Sequence, residues 1–424
     1  MSKLYSGILS IIISLVSIQS TLQSIAPSLL DISANKVVDM LLQSTPEQIK
    51  TILNGIPEDL HDKLKSTLID KHRLILLAIF PLTSRVLAGH IEGVTSVAFS
   101  CDGKYALTGS WDKTARLWDL ATLQSRVLAG HTGEVTSVAF SSDSKYALTG
   151  SMDKTARLWD LGTLQSIVLQ EHDGVTSVAF SPDSKYALTG SDDNTPRLWD
   201  LATLQSRVLE GHTNRVSSVA FSSDSKYALT GSLDYTARLW DLATLKSRVL
   251  EGHTEWVTSV AFSPDDRHAL SGSIGNIARL WNLATLQSKG LQGHTKRVTS
   301  VAFSSDGKYA LTGSFDNTAR LWDLATLQSR VLGHIDKVSS VAFSPNGRYA
   351  LTGSFDTTAR LWDLAGYLQY VNQLNLEQLL FFINVANNKR MPLDEPYYKN
   401  IIQSLSAYPV IKTYIDTKMG AINA

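Results

Sequence analysis

Seven histidines, His90, His131, His172, His212, His253, His294 and His334, recur along the chain at intervals of 41, 41, 40, 41, 41 and 40 residues. Hydroxyl residues and aspartates recur in step with them. Imidazole, hydroxyl and carboxylate are the parts of a nucleophilic triad, in which the imidazole takes the hydroxyl proton and the carboxylate orients the imidazole. Such a triad also needs a cleft and an oxyanion hole, and catalysis has no reason to copy it seven times. The repetition points to structure. Other chemistry is not signalled, since the chain has no GxxxxGK[ST] phosphate loop, no HExxH helix and no GxSxG elbow. Asp265-Asp266 falls in a repeated strand-joining turn, which favours a solvated turn over a metal site. No motif requires a cofactor.

The elements that hold these residues lie in a chain of 424 residues, longer than one ordinary domain. Its 43% hydrophobic and 18% charged content is that of a globular protein. The 39 Lys+Arg balance 39 Asp+Glu, so the long-range pull on phosphate backbones is missing and a nucleic-acid partner is disfavoured. Cys101 stands alone and can close no disulfide within the chain. Near the N-terminus Lys3 precedes an apolar run over 7–18, interrupted by Ser10, Ser14 and Ser17. The run is shorter than the roughly 20 residues of a membrane-spanning helix, so no integral span is expected. Residues 1–26 read as a signal peptide, which implies export, or as a buried N-terminal helix, which fits the cytoplasm.

Residues 31–81 carry dense helix signals. Thr45-Pro46-Glu47-Gln48 reads as a cap with proline at the first helical position, Gly55 ends that helix and Pro57 opens the next. In the second helix Leu60, Leu64 and Leu68 form an apolar stripe. The repeats begin after it. In one of them Val-Thr-Ser-Val-Ala-Phe reads as a strand by its β-branched content, and Ser-Asp-Ser-Lys turns it into a second strand, Tyr-Ala-Leu-Thr. A turn at Asp153 leads to a third strand around Arg157 and Trp159, and Ser166 to Leu169 forms the fourth. Four short antiparallel strands in each period make one propeller blade.

Six of the seven repeats open with Gly-His and six end with Trp-Asp, from Trp118-Asp119 to Trp362-Asp363. In these features the repeats resemble the WD40 β-propeller family, over about two-thirds of the chain. The resemblance implies an all-β, seven-bladed propeller, here with α-helical N- and C-terminal extensions. Ser84-Arg85-Val86-Leu87 is a fourth-strand sequence with no strands before it, and no fourth strand follows Asp363. The expected domain therefore spans 84–365, with 84–88 closing the last blade.

In the family, the Gly-His histidine, a second-strand Ser/Thr, the turn Asp and the third-strand Trp form a hydrogen-bonded tetrad. Carried over by position, blade one uses His90, Thr108, Asp112 and Trp118, and blade two His131, Thr149, Asp153 and Trp159. Blade three uses His172, Thr189, Asp193 and Trp199, and blade four His212, Thr230, Asp234 and Trp240. Blade six uses His294, Thr312, Asp316 and Trp322, and blade seven His334, Thr352, Asp356 and Trp362. Blade five has His253, Ser271 and Trp281, but Gly275 replaces the turn Asp and Asn282 follows the Trp. Blade three departs with Glu171 before its histidine and Pro196 at its third strand.

The turns joining strands one to two and three to four hardly change between repeats. Variation concentrates after Gly-His and just before the turn Asp, at Trp111, Met152, Asp192, Leu233, Ile274, Phe315 and Phe355. The resemblance puts both places on the narrow face of the ring. Six of these seven residues are apolar, which suggests an exposed binding surface for a protein or peptide. Phe315, Phe355 and Trp111 are expected to form an aromatic arc with Trp256 nearby. Arg215, Arg297 and Lys337 are expected to supply positive charge around the rim, with Glu92, Glu134 and Asp173 opposite. The chain reads as a monomeric, non-catalytic interaction scaffold. One alternative is a ubiquitin-ligase substrate receptor, because the 31–81 segment resembles an F-box in composition and position. Another is a lectin-like or hydrolytic propeller, which needs polar residues converging on the channel. The tail, 366–424, reads as helical again, with Asn375 capping a helix through Leu379, Leu380, Phe381 and Ile383, and further helices opening at Asp394-Glu395-Pro396 and Pro409.

Overall fold

In the computed structural model the described residues are 84–170 and 173–365, with 38, 39, 41, 53, 58–71, 374, 378–381, 383 and 401–403. The chain forms two compact units, one of residues 83–365 and one assembled from 1–82 and 366–424. The expected features at residues 1–26, Thr45-Pro46, Asp394-Glu395-Pro396 and Pro409 lie outside the described residues, as does His172.

The larger unit is seven four-stranded antiparallel sheets. In six of them four consecutive strands pair in order, as in Val94–Phe99, Tyr105–Ser110, Ala115–Asp119 and Ser125–Leu128 of blade one. The seventh is completed from the other end of the domain. Ser84–Ala88 pairs with Thr358–Asp363, in a register that sets Ser84 against Trp362 and Leu87 against Ala359. Leu87, Leu351, Ala359 and Leu361 share one buried cluster with Val94, Val97 and Trp118 of blade one, so the closure is apolar as well as hydrogen-bonded.

The innermost strands carry a second device. In Val-Thr-Ser-Val the Thr95 hydroxyl donates to the Val135 carbonyl of the next blade at 2.6 Å. The adjacent Ser96 Oγ accepts the Val138 N–H at 3.0 Å. The same pair of bonds joins every neighbouring pair of blades, ending where Ser339 donates to the Val94 carbonyl and Ser340 accepts from Val97 N–H. Each strand thus satisfies backbone groups that would otherwise face a neighbour unpaired. The blades also approach closely behind this ring. A Cβ at Gly109 would stand 2.8 Å from Val135 Cγ1 and 3.0 Å from Val138 Cγ1, so only glycine fits there.

The Asp of Trp-Asp has a local task. Asp119 Oδ1 accepts the N–H groups of Ala121 and Thr122, both at 2.9 Å, and turns the chain toward the fourth strand. Asn282 keeps this acceptor in blade five, bonding Ala284 and Thr285 at 3.0 Å, so the departure there costs the turn little. Pro196 stands immediately before Arg197–Asp200, and its carbonyl still accepts from Leu209 N–H at 2.9 Å.

In the second unit the helix Glu58–Lys71 buries Leu64 and Leu68 of the expected stripe. Leu379, Leu380, Phe381 and Ile383 are helical and buried. No described helix is long and apolar enough to cross a membrane.

Candidate functional site

Inside the blades, imidazole, hydroxyl and carboxylate meet. In blades one, two, four, six and seven the histidine Nδ1 lies 2.7–3.0 Å from the turn Asp Oδ2, and Nε2 lies 2.6–2.7 Å from the Thr Oγ1. The Trp Nε1–H donates to the same Oγ1 at 2.8–2.9 Å. Because each Thr accepts from Trp, its hydroxyl proton is free to donate to Nε2, which leaves Nδ1–H to donate to the carboxylate. The chain of donors runs Trp to Thr to His to Asp.

Electrostatics agree with a neutral imidazole and an ionised acid. Burial lowers the pKa of His131, against the pull of Asp153 beside it. Burial alone would raise the Asp153 carboxyl, but hydrogen bonds from Thr155, Thr132 N–H and His131 outweigh it and hold it down at about 2. In blade five His253 Nε2 meets Ser271 Oγ at 2.6 Å and Trp281 donates to that oxygen at 2.7 Å, and among the described residues no carboxylate pairs with Nδ1. Burial, with the nearby Arg279 charge, pushes His253 down to about 4. In blade three Trp199 donates to Thr189 at 2.9 Å, and Asp193 accepts from Thr195 and pairs with Arg197.

These groups cannot serve a dissolved substrate as a triad. Thr108, Thr149, Thr230, Thr312 and Thr352 have no exposed surface, and their hydroxyls are committed on both sides. They satisfy one another inside the sheet, where an orphaned polar group would cost about 1–3 kcal/mol.

The variable positions meet elsewhere. In every blade the residue before the turn Asp donates its N–H to the loop that follows the histidine: Trp111 to Gly93, Met152 to Glu134, Asp192 to Gly174, Leu233 to Arg215, Ile274 to Trp256, Phe315 to Arg297 and Phe355 to Lys337. Antiparallel strands put both loops at one end of each blade and the constant turns at the other. The two variable stretches therefore form one rim.

Over blades six, seven and one that rim is aromatic. The Phe315 and Phe355 ring centroids are 5.4 Å apart, and those of Phe355 and Trp111 are 4.4 Å apart. Gly93 makes room, since a Cβ there would lie 3.1 Å from Phe355 and 3.3 Å from Trp111. The Arg297 guanidinium carbon lies 3.5 Å above the Phe315 centroid, and Lys337 Nζ is 5.2 Å from Phe315 and 5.8 Å from Phe355.

Two expectations need correction. The apolar positions are less open than the sequence suggests: Trp111 is 37% exposed, but Met152, Leu233, Ile274, Phe315 and Phe355 are half-buried, the last two beneath one another's rings and the Arg297 and Lys337 cations. Nor is the charge a simple positive rim. Arg215 pairs with Asp192 at 2.9 Å, and Arg297 and Lys337 lie over rings. Asp173, expected to place negative charge opposite, is paired with Lys154 at 3.0 Å. Trp256 is 41% exposed in blade five. Sequence reasoning passed over Ile91 and Ile335, which are 83% and 80% exposed. A signal existed, because both stand directly after Gly-His, where four other blades have Thr132, Thr213, Thr254 and Thr295.

Blade closure, the repeated tetrads and the Trp-Asp turns define a seven-bladed propeller of the WD40 class. A family model described as the WD domain, G-beta repeat, matches residues 82–119 and 123–160, and the model for the IFT122 first beta-propeller matches 175–388, half of the chain. The chain belongs to the WD40-repeat β-propeller family. It is similar to the small ribosomal subunit protein RACK1 of Caenorhabditis elegans, with 61% identity over 36 residues, 8% of this chain and 11% of that protein. Similarity to the Drosophila melanogaster protein of the same name is 60% over 35 residues, again 8% and 11% of the two chains. Cross-pathway control WD-repeat protein 2 of Flammulina velutipes is 55% identical over 38 residues, 9% of this chain and 12% of that one. The chain spans about a tenth of the length of these relatives, the extent of a single repeat.

Proposed function

We propose that this protein is an interaction scaffold without a catalytic site, and that the rim over blades six, seven and one takes a protein or peptide partner. The observation that supports this reading is the location of variation. The constant residues are consumed in tetrads, turns and blade contacts, whereas the loops that differ are hydrogen-bonded into one rim carrying an aromatic arc. Aromatic and cationic side chains on a rigid surface are the usual anchors of a protein interface. Partner capture from cells that express the protein tests it. Trp111→Ala and Phe355→Ala should weaken partner binding by roughly thirtyfold or more, since an aromatic anchor commonly contributes about 2 kcal/mol. Lys145→Ala, in a constant turn at the opposite end, should leave binding unchanged. Loss with Lys145→Ala and retention with the aromatic variants would put the interface on the other face.

A further inference from the structure

Ile91 and Ile335 are the most exposed large apolar residues among those described. Threonine at the same place in other blades meets water without penalty, so each isoleucine adds wet apolar surface with no contact that the fold needs. They belong to blades one and seven, which are neighbours only through the ring closure. The same two blades supply the Trp111–Phe355 contact. Exposed apolar residues and the aromatic arc thus coincide on one sector of the rim.

The cations of this sector differ from those elsewhere. On blades two to four the rim cations are each paired with a carboxylate, Lys154 with Asp173 and Arg215 with Asp192. Arg297 and Lys337 have no carboxylate within ion-pair distance among the described residues and rest on aromatic faces instead. Stacking uses the face of a guanidinium and leaves its in-plane N–H donors available to a carboxylate.

We infer that this sector binds an extended peptide segment in which an Asp or Glu side chain is flanked by bulky apolar residues. The carboxylate pairs with Arg297 and Lys337, and the apolar side chains cover Ile91, Ile335 and the exposed Trp111. The inference rests on the reading that this face binds protein, and it adds the chemistry of the partner. A nucleic acid fits less well, because the chain has no net charge and the same two loops carry Glu92 and Asp336.

The test uses the full chain and three pools of capped octapeptides, read by fluorescence polarisation. All alternate a polar residue with Leu or Phe; the polar residue is Asp/Glu in the first pool, Asn/Gln in the second and Lys/Arg in the third. The acidic pool should bind at least about tenfold more tightly than the amide pool, with an advantage that shrinks as salt rises. Arg297→Gln combined with Lys337→Gln should abolish that advantage. Ile91→Thr combined with Ile335→Thr, which installs the residue of other blades, should weaken both pools alike without lowering the melting temperature. Equal binding of acidic and amide pools overturns the inference, as does an acid preference that survives loss of both cations. Equal binding that still falls with Trp111→Ala would retain the interaction face and reject only its acid specificity. Acidic-pool binding indifferent to Trp111→Ala and to the isoleucine variants would reject both. Failure of every pool to bind, or tighter binding of a single-stranded oligonucleotide than of the acidic pool, also overturns it.

Discussion

The interior of a blade and the rim above blades six, seven and one are built from similar groups and use them in opposite ways. Inside, Trp159, Thr149, His131 and Asp153 form a chain in which each donor has an acceptor and the hydroxyl is sealed from water. On the rim, Trp111 is open to solvent, and Arg297 and Lys337 sit on rings with no carboxylate paired to them among the described residues. The first arrangement is saturated and copied from blade to blade; the second is unsaturated and confined to one sector. Saturation and repetition mark the groups that hold the fold. Exposed departures with unmet bonding capacity mark those left for a partner.

Blade five sharpens the contrast, because its tetrad is one carboxylate short. Four outcomes follow, beginning with the effect that acts on several blades together. His90, His131, His253, His294 and His334 are all held below their ordinary value of 6.5, chiefly by burial. Below that pH the unfolded chain takes up protons that the native histidines refuse, so stability falls as pH falls. The loss from His253 runs from about 6.5 to about 4, and Asp153, held at about 2, adds to it only below about 3.8. Urea midpoints across this range should be flat above pH 7 and decline steadily below 6.5; a rise on acidification would contradict buried neutral imidazoles.

Single-site effects are smaller. His131→Ala should destabilise the propeller by about 1–3 kcal/mol by removing the acceptor of the Thr149 hydroxyl and one of the donors to Asp153. His253→Ala should cost less, because no carboxylate depends on it. Denaturant titration separates the two, and equal losses would mean the carboxylate bond contributes nothing.

The smallest effect is a gain. Gly275→Asp supplies the missing acid at a place where a Cβ would meet nothing closer than 3.5 Å, at Glu255 Cγ. Completing the tetrad should stabilise the protein by about 1 kcal/mol. It should also raise the His253 pKa, which makes the acid slope shallower. A variant with unchanged stability and an unchanged slope would show that blade five tolerates the gap without cost.

Much of this was legible in the sequence, and for definite reasons. The 41-residue period carries the blade count, and the unmatched fourth-strand sequence at Ser84 and the missing fourth strand after Asp363 are the two halves of one sheet. The tetrad residues could be named because their offsets from each histidine are constant. Less visible was the clasp between inner strands. Thr95 and Ser96 look like ordinary strand residues until the next blade's carbonyl and N–H are seen beside them. Pairing on the rim was hidden for a similar reason: Arg215 reaches Asp192 across a blade boundary, and no linear pattern records that reach. Phe315 and Phe355 cover one another edge to face, a contact that residue types alone do not give.

One comparison tests the division between saturated interior and open rim most directly: the melting temperature and partner affinity of His131→Ala and Trp111→Ala, measured side by side on the full chain. His131→Ala should lower the melting temperature and keep its affinity while folded. Trp111→Ala should melt like the parent and bind roughly thirtyfold more weakly. A folded His131→Ala protein that no longer binds, or a Trp111→Ala protein that melts early yet binds normally, would contradict it.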